Sequence, residues 1–270
     1  MSFKYSSKLH GKRVLVLGGT SGIGFCVAEA CIDYGATVIV SSSQQSKVDN
    51  TVSRLTASYP DSSGRVLGHA CDLSDSEKLE TNLTTLLDFA TDKGVHKLNA
   101  IVNTAGAGPG PFPLAAATPE KLNRPSVISL YAPSMLAKLI AVSPGHYMPV
   151  SPESSITLTG GVAGHRPPPG WSMYVGWTVA KEGLMRGLAV DLKPIRVNLV
   201  APGPVKTELM DKLSGGSAEK TENLLKLYES YTLTGLLGMP EDIAECYLWL
   251  IKDHGVTGTI ATSDSGCTLK

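Results

Sequence analysis

Short apolar runs alternate with longer stretches of helical periodicity along most of this chain. Residues 13–17 (RVLVL), 37–40 (TVIV), 66–71, 98–103, 155–159 (SITLT), 195–200 (IRVNLV) and 258–263 (GTIATS) carry the compact, aliphatic signature of buried strands. Residues 25–34, 47–58, 75–93, 175–192 and 240–252 place apolar side chains at helical spacing, and Gly35 suits the end of the first helix. Residues 119–143 share that periodicity, with Pro125 and Pro133 as expected breaks, and residues 208–231 read as a mobile helical insert, a candidate lid. Strands separated by helices of this length imply βαβ units. The expected fold is α/β: a doubly wound Rossmann fold with an about seven-stranded, mostly parallel sheet and helices on both faces. No linker divides residues 1–270, so a single domain is expected, of a size that buries a large core.

Composition narrows the function classes. Hydrophobic residues make up 42% and charged residues 18%, with 24 Lys+Arg balancing 24 Asp+Glu. A neutral chain without basic runs or zinc-ligand spacing is a poor candidate for nucleic-acid binding, and no metal is expected. Five scattered cysteines, Cys26, Cys31, Cys71, Cys246 and Cys267, read as reduced thiols of a cytoplasmic protein. The polar start from Met1 to Lys12 lacks the apolar core of a signal peptide, and no apolar run reaches membrane-spanning length, so no membrane partner is expected.

The chemistry begins at Leu17-Gly18-Gly19-Thr20-Ser21-Gly22-Ile23-Gly24, between the first strand and the first helix. Glycines 18, 22 and 24 let the backbone turn sharply and approach a diphosphate, and the helix start adds unpaired N–H groups and a positive dipole end. Thr20 and Ser21 contribute hydroxyl donors, and Ile23 a further first-turn amide. At the end of the second strand, Ser41-Ser42-Ser43-Gln44 offers hydroxyls and no carboxylate, which favours NADP(H), with Ser42 and Ser43 at its 2′-phosphate, over NAD(H).

The glycine run resembles the Gly-x-x-x-Gly-x-Gly signature of the short-chain dehydrogenase/reductase family, with Leu17 where threonine is usual. Further motifs follow in family order. Cys71-Asp72-Leu73 is similar to the adenine-contacting segment. Asn103-Thr104-Ala105-Gly106 is similar to the Asn-Asn-Ala-Gly motif. Pro202-Gly203-Pro204-Val205-Lys206-Thr207 is similar to the Pro-Gly motif that holds the nicotinamide carboxamide. Taken singly, each also reads as a turn or a cap. The resemblance implies cofactor contacts from Asp72, Leu73, Asn103, Ala105, Gly106, Pro202, Gly203, Val205 and Thr207, and assembly as a homotetramer or homodimer.

The family's chemistry rests on Asn, Ser, Tyr and Lys, with Tyr as proton donor four residues before Lys on one helix face. Here the resemblance puts Lys181 at the lysine, Trp177 at the tyrosine, Gly161 at the serine and Ser129 at the asparagine. Lys181 alone is carried over, as a ligand of the cofactor ribose. An indole N–H is a donor but no usable acid near neutral pH. Three readings stay open. In the first, the acceptor needs no proton, as with an iminium, and Trp177 stacks on the cation. Another group, such as Tyr174, Ser129, Thr159 or His165, could supply the proton. Or the chain binds NADP without moving hydride, as a cyclase, isomerase or scaffold. The proline-stiffened stretch from His165 to Trp171, with Tyr174 and Trp177, suits a bulky, flat small-molecule substrate. Residues 169–172 and 183–191 are similar to atypical fungal biosynthetic members of the family, among them reductase/Diels–Alderases of malbrancheamide-type alkaloid pathways, which lack the tyrosine and reduce an iminium. Those members carry an arginine and an aspartate where this chain has Ser129 and Tyr174, so the cycloaddition is not carried over.

Overall fold

A computed structural model describes residues 4–106, 108 and 110–270; the first three residues of the polar start lie outside this range. Seven strands form one sheet: β1 (Arg13–Leu17), β2 (Thr37–Ser41), β3 (Val66–Gly68), β4 (Ala100–Asn103), β5 (Ser155–Thr159), β6 (Arg196–Pro202) and β7 (Ile260–Ser263). Their order is β3-β2-β1-β4-β5-β6-β7, and every neighbouring pair is parallel. The chain runs outward from β1 to β3, then returns to lay β4 against the other side of β1. A crevice therefore opens over the carboxyl ends of β1 and β4, where ligands bind in sheets of this kind.

Nine helices connect the strands among the described residues: α1 (Gly22–Asp33), α2 (Gln45–Ser58), α3 (Leu79–Thr91), α4 (Pro119–Ser126), α5 (Ala132–Val142), α6 (Ser172–Asp191), α7 (Glu208–Leu213), α8 (Ala218–Glu229) and α9 (Pro240–Lys252). The alternation of side chains along a strand explains the two cores. Val14 and Val16 of β1 pack with Val27, Leu55 and Tyr247 of α1, α2 and α9, whereas Leu15 and Leu17 pack with Leu83, Leu136 and Met185 of α3, α5 and α6.

Several expected boundaries shift, each for a local reason. The third strand stops at Gly68, which packs under Val48 and Val52, although His69 and Cys71 still donate to the Val40 and Ser42 carbonyls. The third helix begins at Leu79 because Asp75 Oδ1 accepts from the amides of Glu77 and Lys78 and holds a turn there. It ends as Asp92 and Lys93 enter positive φ (48° and 51°). The helix expected from residue 175 begins at Ser172. Pro125 and Pro133 do not break their helix. A π turn over Val127–Tyr131 absorbs the change of register, and Pro133 falls in the first turn of α5 directly after it. The result is a continuous 24-residue helix, Pro119–Val142, long and apolar enough to cross a membrane. This corrects the reading that no such stretch exists. Half of its most apolar 18-residue window is buried, and Leu136, Ala137 and Ile140 lie in the core beside α3, as in a core helix of a sheet protein.

Arg196, 2% exposed at the start of β6, donates to the carbonyls of Pro152, Leu250, Ile251 and Val256. Its guanidinium thus satisfies the last turn of α9 and ties that helix to the sheet. Arg196→Leu would strand these buried acceptors and should cost about 3 kcal/mol of unfolding free energy in a urea titration; an unchanged midpoint would remove Arg196 from this role.

Candidate active site

The cradle at the crevice is built by close backbone approach. Gly18 (φ +80°) and Gly19 donate their amides to the Ser41 carbonyl at 2.8 and 3.1 Å, which folds the β1–α1 loop over β2. A Cβ on Gly18 would lie 2.7 Å from Thr104 Oγ1 and 2.8 Å from the Ala105 amide, so only glycine lets this loop meet the loop after β4. Thr104 closes the junction by donating both its amide and its hydroxyl to the Leu17 carbonyl, each at 2.9 Å. Gly24 packs on the Gly18 carbonyl and the Thr104 hydroxyl. Ser21 is the N-cap of α1 in extended backbone, and its side chain makes no cap bond. The first-turn amides of Gly22, Ile23 and Gly24 therefore remain available to an anion, with the Thr20 and Ser21 hydroxyls alongside. Thr207 stands opposite, its methyl 3.3 Å from where a Gly22 Cβ would be.

The remaining cofactor-type positions surround this cradle. The Ser41 and Ser42 hydroxyls are buried without a hydrogen-bond partner, an unmet demand that a ligand at the β2 end could satisfy. Asp72 Oδ1 accepts from the amide and the hydroxyl of Ser74, and the Leu73 side chain is buried in the core, so this segment can present Asp72 Oδ2 and its backbone. Asn103 is buried, its Oδ1 accepting from the Ala105 amide at 3.1 Å. Gly203 packs against Asp264, and Val205 bridges to Gly238, which fixes the loop from Pro202 to Thr207. Orphaned hydroxyls, a glycine cradle and a free helix start are the donor set that a dinucleotide requires.

The positions that the motif resemblance matches to the family's catalytic residues lie over β5. Lys181 Nζ donates to the Thr159 carbonyl at 2.8 Å, and burial pushes its ammonium down to about 8. Thr159 Oγ1 donates to the Asn103 carbonyl, so the 2.6 Å contact with the Tyr247 hydroxyl is one in which Tyr247 donates. Trp177 Nε1 donates to Ser126 Oγ at 2.9 Å, and that hydroxyl donates on to the Leu122 carbonyl. The indole N–H is thus engaged between α6 and α4. Tyr174 points its hydroxyl at Gly161: a Cβ there would lie 3.3 Å from that oxygen and 3.9 Å from the Pro202 carbonyl. Burial raises the Tyr174 pKa, partly offset by the nearby Thr178 hydroxyl. Ser129 is buried in the π turn. The fold thus gathers Lys181, Tyr174, Gly161 and Pro202 at the ends of β5 and β6, while Trp177 is bonded to α4.

The loop after β5 is largely exposed but tethered at several points. His165 Nε2 meets the buried Glu182 Oε1 at 2.8 Å, Arg166 bonds the Cys267 carbonyl, and Gly170 accepts from the Phe112 amide at 2.8 Å. Trp171 packs edge-on against Tyr174, with ring centroids 5.2 Å apart. A depression of about 470 Å³ lies beside Gly106, Phe112, Pro125 and Ile128, with Glu120, Lys121 and Arg124 also lining it. Glu182, Tyr247 and Ser126 carry no motif signal; only the fold brings them here.

The family model of the SDR-like Rossmann domain matches residues 5–270. This chain is a short-chain dehydrogenase/reductase. It is 41% identical to the short-chain dehydrogenase/reductase malC of Malbranchea aurantiaca over 97% of this chain and 96% of that one. It is 37% identical to ucsE of an Acremonium species over 98% of each. The solved structure of the MalC reductase/Diels-Alderase superposes with a TM-score of 0.90, covering 98% of this chain and 100% of that one at 40% identity. A dehydrogenase/reductase of Sinorhizobium meliloti superposes at 0.79, with 27% identity over 98% of this chain and 99% of that one. The family implies a nicotinamide cofactor and an oxidoreductase.

Lys181 gives this short-chain dehydrogenase/reductase a pH signature. Its ammonium falls from 10.5 to about 8 on folding, so between those values the unfolded chain holds a proton that the folded chain lacks. Stability from this group therefore rises with pH across that window, by up to about 1.4 kcal/mol per unit of pKa difference. Urea titrations from pH 8 to 10.5 should show this rise in the wild type and its absence in Lys181→Met; parallel curves would contradict the burial of the ammonium.

Proposed function

We propose that this enzyme is an NADPH-dependent reductase of a bulky, secondary-metabolite-like small molecule. It acts on an imine or iminium by hydride transfer, without an acid at the Trp177 position. The observation that carries the reading is Trp177 itself. The residue at the family's tyrosine position spends its N–H on Ser126 and has no acidic proton to give. A cationic acceptor needs none.

Bound NADPH supplies the hydride. The amides of Gly18, Gly22 and Gly24 with the Thr20 and Ser21 hydroxyls would hold its diphosphate, and Ser42 and Ser43 its 2′-phosphate. Asp72 and Leu73 would border the adenine. Asn103, Ala105, Gly106, Pro202, Gly203, Val205 and Thr207 would line the nicotinamide half. Lys181 would hold the ribose, its side chain aimed by the Thr159 carbonyl. Trp171 and the stiff loop from Arg166 to Gly170 would exclude water from one side, and residues 208–231, folded as α7 and α8, would cover the substrate. The similar chain's title, reductase/Diels-Alderase, supports an alkaloid-type biosynthetic role and keeps a non-redox, NADP-binding cyclase as the second reading. We further infer a cytoplasmic enzyme that assembles as a homodimer or homotetramer.

Two measurements test this. NADPH should bind at least about tenfold tighter than NADH, and Ser42→Asp should reverse that order by setting a carboxylate against the 2′-phosphate; equal affinities would refute the assignment. With a cyclic iminium such as an N-methyl-dihydroisoquinolinium, Trp177→Phe should leave NADPH affinity unchanged and lower kcat. Cycloaddition of a supplied diene without NADPH consumption would favour the second reading.

A further inference from the structure

We propose that Tyr174 is the proton donor of this site, its phenol O–H bonding the acceptor atom of the substrate, so that the enzyme reduces ketones as well as cationic acceptors. The inference rests on the hydride-transfer reading above. Gly161 adopts φ 173° and ψ 148°, extended backbone that any residue takes. Its value is therefore space rather than conformation, and the space belongs to the Tyr174 hydroxyl, 3.3 Å from the missing Cβ. The Pro202 carbonyl lies 3.9 Å from the same point, which puts the phenol oxygen between the ends of β5 and β6. Thr159, two residues before Gly161, is the residue whose carbonyl holds Lys181 Nζ. Tyr174 and Lys181 are seven residues apart on α6, two turns along one face. The edge-on ring of Trp171 fixes the phenol in place. A glycine at 161 and a phenol one turn nearer the start of α6 than Trp177 therefore set one hydroxyl at the ends of β5 and β6. The group is a neutral donor across the physiological range because burial holds its proton.

The step balances. Hydride adds to the carbonyl carbon, the C=O π pair moves onto oxygen, and the Tyr174 O–H bond breaks as its proton passes to that oxygen. An alkoxide is a far stronger base than a phenolate, so the transfer runs downhill even from a phenol of raised pKa. Solvent reprotonates the phenolate after product leaves. The sum is ketone, NADPH and a proton giving alcohol and NADP⁺.

Phenanthrenequinone, a flat aromatic diketone, is the probe, and the dihydroisoquinolinium is its control. Tyr174→Phe should lower kcat for the quinone at least a hundredfold, a loss at least tenfold greater than any it causes with the iminium. In the complex with NADP⁺, which cannot turn over, the infrared carbonyl band of bound quinone should lie at lower frequency in the wild type than in Tyr174→Phe. Gly161→Ser should impair quinone reduction by displacing the phenol, whose oxygen lies 3.3 Å from the position the new Cβ takes. An unshifted carbonyl band, or quinone turnover that survives Tyr174→Phe, overturns the proposal. Failure of the wild type to reduce the quinone while it reduces the iminium also overturns it and leaves the hydride reading standing. Failure with both probes sinks both.

Discussion

The close approach of the Gly18 backbone to Thr104 and Ala105 is the constraint on which the rest of the structure depends. The loop after β1 and the loop after β4 belong to strands that the chain forms far apart in sequence and sets side by side at the switch point. No side chain fits between them. Because glycine stands there, Thr104 can seal both loops onto the Leu17 carbonyl, and the start of α1 faces open crevice with its amides unspent. The buried, partnerless hydroxyls of Ser41 and Ser42 lie at the neighbouring end of β2 and leave a polar demand that a ligand there could meet.

The second constraint is the fate of hydroxyls and N–H groups over β5. In this chain the residue four before Lys181 is an indole whose donor is consumed by Ser126, and the residue after Gly160 has no side chain. A tyrosine three residues ahead of Trp177 fills the vacated volume instead. Lys181 is held by a backbone carbonyl, and that carbonyl's residue is braced through its hydroxyl by Asn103 and Tyr247. Lys181 is thus positioned by backbone and by a braced threonine rather than by the side chains of residues 161, 174 and 177.

Legibility in the sequence followed how local each signal was. Apolar runs such as RVLVL and SITLT marked strands because both faces are buried, and the strand–glycine–helix order marked the cradle because its mechanism needs that context. The helix over residues 119–142 was harder. Two prolines argue for breaks, and only the π turn between them, with its own register, lets the helix continue. The turn held by Asp75 was missed for the opposite reason, since a side chain there competes with the helix that the pattern predicts. At the reacting end, motif alignment could place Trp177 beside Lys181 but could not show that Ser126 takes its N–H, nor that Gly161 makes room for a side chain thirteen positions later. His165 reads as loop until the buried carboxylate of Glu182 is seen beneath it. Contacts across helices carry no periodic trace.

The central claim is that this cradle grips a reduced nicotinamide dinucleotide within reach of Trp177 and Lys181. Titration of the purified protein with NADPH, read by tryptophan fluorescence, tests it most directly. Saturable quenching with energy transfer to the nicotinamide is expected, abolished by Gly18→Val, whose added side chain would collide with Thr104 and Ala105. A flat titration of the wild type, or full affinity in Gly18→Val, would contradict it.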